Sequence, residues 1–386
     1  MQIAILNTQD EVGGKKLKLF FNKMMNDEKI HPKYKLLNNN MQLLCQRHIL
    51  EGWSDGFVDR DGKALHEFQT TFHSMFWEFF IHQLIKDMNL KIDFSKNRPD
   101  FIVKDTSGND LFYIEAVVSE IKEDGRPEHT RNIDDTLNQI RPIWKLPNFN
   151  EIMDEGIVRA SNSISKKLKK YDQYKKLAWV DESKPYIVAV SSYAQVNYGN
   201  EAHFAILALL YGYYLSKDDG LSYDKVGSIL KPNTTSEIDL NIFSYSKYAD
   251  ISAVLFSSKV TLGKLAHLSS SEDMPCTMMD ANISVYQDDT EPFFRAVVID
   301  EDNPEQLEDG VILFHNPNAK TPLDRDYFRE LGVTQMYIEN GKLEIDAVSP
   351  LLITRFHHQG MKSFEQGLVA EMSMDFNDPY FTIPEM

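Results

Sequence analysis

Arg98-Pro99-Asp100-Phe101-Ile102-Val103, the polar cluster Thr106-Ser107-Gly108-Asn109-Asp110, and Leu111-Phe112-Tyr113-Ile114-Glu115-Ala116-Val117-Val118 together decide how this chain reads. Two β-prone runs around a Gly-containing turn predict a β-hairpin. A turn centred between Ser107 and Gly108 sets Asp100 opposite Glu115. Facing side chains in a hairpin have Cβ atoms about 4.5 to 5.5 Å apart, and like charges there destabilise it. At an effective dielectric of about 20, two such anions repel by roughly 3 kcal/mol. Packing gives no reason to keep that pair, whereas a hard divalent cation turns it into a ligand set.

A one-residue slip would send one carboxylate to the other face. Asp100 would then merely end a loop after Pro99, with Glu115 in solvent. The neighbours argue for the paired register. Phe101, Val103, Phe112, Ile114 and Ala116 alternate on one face, and Ile102, Tyr113 and Val117 make the other largely apolar, so the strands should be buried on both sides.

Working outward, Ala64 to Met88 predicts one long helix, apolar nearly all round and therefore buried. Residues 119–150, rich in charge and carrying Pro127, Pro142 and Pro147, read as an insertion with little regular structure. A second helix is predicted over Glu151 to Leu177 and a third over Glu201 to Leu215. Strands are expected at 185–190, 251–256, 293–299 and 311–314. Helix, hairpin, helix, strand and helix in that order imply an α/β fold, a mixed central sheet flanked by helices. The organisation expected is an N-terminal segment 1–63, a core over 64–320 and a C-terminal segment 321–386.

The chain has 386 residues, 42% apolar and 26% charged, ordinary for a globular protein. No apolar run is long enough to span a bilayer, and the first ten residues lack the basic start and small-residue cleavage site of a signal peptide. Two cysteines, Cys45 and Cys276, make neither a disulfide framework nor a zinc site alone, so a reducing, cytoplasmic setting is expected. A net charge of −17 argues against a general polyanion binder. Contact with nucleic acid would be confined to a groove and be strongly salt-dependent.

Two helical stripes carry polar groups. On the first helix Glu67, Thr71, Ser74, Glu78 and His82 fall at steps of three or four. Glu78, inside Phe76-Trp77-Glu78-Phe79-Phe80, must be paired, metal-bound or protonated if buried. The alternative is a plain solvent face. His82 reads as a partner of Glu78 rather than a metal ligand. On the second helix Arg159, Ser163, Lys167 and Lys170 share a side. Lys167 lies about 60° from the core direction and can reach inward, whereas Lys166 and Lys169 point away. Solvated lysines on an amphipathic helix are the plain alternative.

A helix with Glu, then Pro-Asp, then a hydrophobic strand with an acid, then a Lys-rich helix resembles the PD-(D/E)XK, or restriction-endonuclease-like, nuclease superfamily over roughly Ala64 to Val190. The resemblance implies that Glu78 is the helix acid, Asp100 the Asp of Pro-Asp and Glu115 the acid of the third motif. Glu115-Ala116-Val117 departs from it, with Val where the superfamily has a Lys that positions the attacking water. Lys167 could replace it from the neighbouring helix. Arg98, facing Val117, could only neutralise charge, because its pKa is too high for a base.

What the resemblance implies is phosphodiester hydrolysis with Mg²⁺ or Mn²⁺ held by Asp100, Glu115 and Glu78. Arg98, Arg159, Ser163 and Lys170 would contact the substrate, DNA rather than RNA. By analogy the role is that of a defence-type effector, as a homodimer or with a partner protein. Two other readings stay open, a nuclease-like fold that has lost its chemistry and serves as a nucleic-acid or protein binding module, and a two-carboxylate glycosidase. Gly13-Gly14-Lys15-Lys16 lacks P-loop spacing, His357-His358 lacks partners for a metal, His315-Asn316-Pro317-Asn318 reads as a capped turn or pocket rim, and no serine nucleophile elbow is present.

Overall fold

The computed structural model describes residues 17–21, 27–121, 125–194, 196, 199–217, 221–275, 278–288 and 292–378. The glycine-lysine stretch at 13–16 and Cys276 lie outside them. Helices α1 (Pro32–Asn39), α2 (Leu44–Trp53), α3 (Ala64–Thr70) and α4 (Phe72–Asp87) open the described chain. The single helix expected over 64–88 is broken at Thr71 (φ −116°, ψ 45°). Thr70 and Thr71 both turn their hydroxyls back onto carbonyls four residues earlier, His66 and Glu67. Such bonds compete with helix continuation, and two stiff β-branched residues in a row add to it. Beyond the break, α4 is apolar nearly all round, with Phe72, Phe76, Phe79 and Phe80 fully buried.

The hairpin forms in the expected register. Strand β1 (Lys91–Ile92) pairs with β2 (Phe101–Lys104), which pairs with β3 (Asp110–Val118) through Phe101 opposite Ile114, Ile102 opposite Tyr113 and Val103 opposite Phe112. The register shifts between Val103 and Lys104, so that Lys104 faces Asp110. The loop is thus 105–109, closed by the Asp105 amide on the Asn109 carbonyl (3.0 Å), and Gly108 (φ 92°) takes its left-handed position. A different turn from the one expected therefore leads to the same pairing, because the irregularity absorbs the odd residue.

Strand β4 (Tyr186–Ser191) lies parallel beside β3. The sheet then continues through Ala253–Ser257, Ile312–His315, Thr334–Glu339 and Lys342–Asp346 to eight strands of mixed direction. Strands from the stretch beyond 320 complete this sheet, and α1 and α2 pack into the same core as α4, so neither end of the described chain stands apart. A separate three-stranded sheet (Phe294–Val298, Ala281–Gln287, Leu351–His358) holds the 293–299 strand.

Side-chain alternation sorts the sheet into two faces. Phe101, Val103, Phe112, Ile114, Ala116, Ile187 and Ala189 pack toward α4. Ile102, Tyr113, Val188 and Val190 pack toward α6 (Phe149–Tyr174) and α7 (Phe204–Tyr211). Segment 119–150 has only the short α5 (Ile133–Leu137) and 3₁₀ turns, but it is no loose insertion, since Ile140, Ile143, Trp144 and Leu146 are buried in the second face's core. The third helix stops at Tyr211 rather than Leu215. Gly212 (φ 79°, ψ 13°) caps it in the left-handed conformation, and Tyr213–Ser216 pairs as a strand with Ser222–Lys225. Cys45, on α2, is disulfide-bonded. Among the described residues no helix is long and apolar enough to cross a membrane.

Candidate active site

Because side chains alternate along a strand, Glu115 shares the face of Tyr113 and points toward α6. Asp100, two residues before Ile102, takes the same side just ahead of β2. The Asp100 amide lies 3.4 Å from Glu115 Oε2, and Asp100 Oδ2 accepts the Ala116 amide at 2.9 Å. The peptide bond before Pro99 is cis. The two carboxylates therefore adjoin across the hairpin, as the register required.

Helix α6 answers them. Lys167 Nζ donates to Glu115 Oε1 at 2.8 Å and stands 3.9 Å from Asp100 Oδ2. Lys170 Nζ reaches Glu115 Oε1 at 3.5 Å and Tyr174 Oη donates to it at 3.1 Å. The spacing 167, 170, 174 continues one helical stripe, so Tyr174 was visible in the sequence once Lys167 pointed inward. Glu115 is almost fully buried, at 1% exposure. Burial pulls the Lys167 ammonium down, but Glu115 and Asp100 outweigh it and hold its pKa above the ordinary lysine value. Lys167 is thus a cation at neutral pH.

A cavity of about 820 Å³ opens beside this pair. Glu78 and Ser74 line it from α4, Asp100, Ala116 and Val117 from the hairpin, and Arg159, Ser163, Lys167 and Lys170 from α6. Lys166, expected to point away, lines it too, because the cavity is wide enough to reach past the inward stripe. Lys231 enters from the small hairpin formed by Ser228–Leu230 and Glu237–Asp239, a contribution with no sequence signal. Five cationic side chains thus line one cleft of a chain whose net charge is −17.

Two of the acids in this cleft, Glu78 and Asp100, are hard to ionise. Burial, and then the Asp100 charge, push the Glu78 carboxyl up to about 8. Burial, and then Glu115, push Asp100 up to about 6 against the opposing pull of Lys167. Among the described residues, the oxygens of Glu78, Asp100 and Glu115 do not all close to within 4.8 Å of one another. Two adjoining carboxylates at the wall of a roomy pocket, Asp100 lining it and Glu115 buried just behind, fit a divalent cation, with Asp100 and Glu115 as the pair that could hold it and Glu78 lining the same cavity.

Other expected site residues go elsewhere. His82 does not partner Glu78. Its Nδ1 bonds the Trp53 carbonyl at 2.7 Å, because at that depth of α4 the ring packs among Phe57 and Phe94. Arg98 is exposed, and its carbonyl, not its side chain, is engaged, accepting the Trp179 indole N–H at 2.9 Å. Arg159 lines the cavity but is anchored by Nη2 to Glu201 (2.8 Å) and Ser192 (3.1 Å). Ser163 pairs with Ser119 at 3.2 Å. His315 is bound to Gln335 at 2.7 Å, and His357 to Asn282 at 2.7 Å, both as structural contacts. Compared with known proteins, the chain matches no family model, no curated protein and no solved structure.

Proposed function

We propose that this protein is a metal-dependent phosphodiester hydrolase, with DNA as its substrate and a restriction-endonuclease-like core. One observation carries the reading: Lys167 crosses from α6 to within 2.8 Å of Glu115 and 3.9 Å of Asp100. That supplies a cation at the two-carboxylate centre although Val117 stands where the superfamily keeps its lysine. Mg²⁺ or Mn²⁺ held at Asp100 and Glu115 would lower the pKa of a bound water and offset charge at phosphorus.

The protein's own groups supply the rest. Lys167, protonated, donates to an incoming phosphate oxygen or to the attacking water, which it orients. Lys166, Lys170, Lys231 and Arg159 give the cleft a positive wall that draws in a polyanion against the overall charge. Tyr174 and Lys170 fix the Glu115 rotamer through its Oε1. A glycosidase needs its two acids on opposite sides of a sugar, whereas Asp100 and Glu115 adjoin on one hairpin.

A second reading has its own observation. Lys167 already engages a Glu115 oxygen that a metal would need, which suits a nuclease-like fold that binds nucleic acid without cutting it.

Supercoiled plasmid incubated with Mg²⁺ or Mn²⁺ separates the two. Wild-type protein should nick it, and EDTA should stop the reaction. Asp100→Asn and Glu115→Gln should fall to background while keeping their circular dichroism. Lys167→Met should lose roughly 10²- to 10⁴-fold. Unchanged cutting by either carboxylate variant would overturn the site, and wild-type binding of DNA without any cleavage would favour the second reading. Cutting confined to a structured RNA would replace DNA as the substrate.

A further inference from the structure

We propose that His31, His73 and Glu128 form a second metal site, of the zinc type, distinct from the carboxylate cavity. They come from three separate elements. His31 is the N-cap of α1, His73 is the second residue of α4, and Glu128 opens the 3₁₀ turn Glu128–Thr130. One ligand atom from each lies within 4.8 Å of the other two, and no other group of three or more such side chains does so among the described residues. His73 Nε2 is 2.8 Å from Glu128 Oε2, and the two imidazole rings are 4.8 Å apart between centroids.

The imidazoles are held but not saturated. His31 Nδ1 accepts the Lys33 amide at 3.2 Å, which fixes the ring and leaves Nε2 for a ligand. His73 Nδ1 is buried with no hydrogen-bond partner, a condition that native interiors rarely leave unexplained. Both rings and Glu128 line a cavity of about 500 Å³, where exposed His129 offers a further nitrogen. Two histidines and one carboxylate, with room for a fourth ligand, are a donor set for Zn²⁺ and not for the oxygen-seeking Mg²⁺. Metal here would fasten the 125–148 segment to α1 and α4. Ile121 lines both this cavity and the carboxylate cleft, so the clamp would steady one wall of the latter.

Lys33 argues the other way and sharpens the test. Its Nζ is 2.6 Å from Glu128 Oε1. On the plain reading, the cluster is an ion pair extended by histidine, with no metal. On the proposed one, Lys33 weakens metal binding by repulsion and leaves Oε2 to the metal.

The full-length protein, stripped with chelator and titrated with Co²⁺ as a visible stand-in for Zn²⁺, should develop d–d absorption at about one equivalent, and Zn²⁺ should displace it. His31→Asn keeps a good N-cap for α1 and should abolish the absorption, as should Glu128→Gln. Lys33→Gln should bind severalfold more tightly. The Asp100→Asn/Glu115→Gln double variant should keep the signal, which separates this site from the proposed catalytic one. Zn²⁺ should raise the melting temperature of wild type and not of His31→Asn. A wild type that binds no Co²⁺ or Zn²⁺, or a His31→Asn variant that binds as wild type does, would overturn the proposal.

Discussion

Two regions of this molecule bury carboxylates beside lysine, and they treat them in opposite ways. Glu305 is fully buried with Lys264 at 2.9 Å, His267 Nδ1 at 2.9 Å and a close two-nitrogen contact from Arg355. Burial pushes its carboxyl up, but Arg355, Lys264 and His267 overwhelm that and hold it well below the ordinary carboxylate range. At the cleft, by contrast, Glu78 and Asp100 are raised, because burial and neighbouring anions outweigh the cations within reach. In the first cluster three basic side chains close on one carboxylate. In the second, Lys167 is engaged by Glu115, and Glu78 and Asp100 stay raised beside a cavity of about 820 Å³. Structural ion networks satisfy their members, whereas a site that waits for a ligand does not.

The largest effect that would test this contrast is on stability. Glu305→Gln leaves Arg355 and Lys264 buried without their anion and should cost roughly 3–5 kcal/mol in denaturant unfolding. Glu78→Gln should do the reverse, raising the melting temperature at pH 7 while lowering cleavage, since a half-buried acid that resists ionisation burdens the fold. Equal losses in the two variants would erase the distinction.

pH should separate the regions next. Glu78 and Asp100 have folded pKa values above their unfolded ones, so between about pH 4 and 8 the folded state binds more protons and metal-free stability falls as pH rises. Glu305 has the opposite sign. Its contribution is present above the unfolded carboxylate pKa and is lost only on acidification below it. Calorimetric Mn²⁺ affinity should accordingly rise from pH 6 to 8 in wild type, and this rise should shrink in Glu78→Gln. A flat profile would deny that these acids take part.

The smallest effect concerns the cleft wall. Lys231→Ala should weaken DNA binding modestly and lower the slope of log K against log salt by about one. An unchanged slope would remove Lys231 from the path of the substrate.

Local chemistry made much of this site legible in advance. Alternation in 101–103 and 112–117 specified a hairpin buried on both faces, and the position of the Gly-containing turn between the two runs specified its register. The three-four spacing from Arg159 through Lys170 put Lys167 on the inward side of its helix, and it is there. Less legible were features that depend on competition. Thr70 and Thr71 break a helix that apolar periodicity alone extends, and Gly212 ends another that hydrophobicity would carry to Leu215. His82 took a backbone carbonyl rather than the acid one turn away.

The sequence by itself determined the pairing of Asp100 with Glu115 and the side of the sheet they share, because strand alternation and helical periodicity are properties of neighbours in the chain. Tertiary structure alone decided that Lys167 meets both acids, that Lys231 joins the cleft from a distant hairpin, and that His31, His73 and Glu128 converge. Those meetings join segments far apart in the chain, and only the packing of α1, α4 and α6 around the sheet fixes the distances between them.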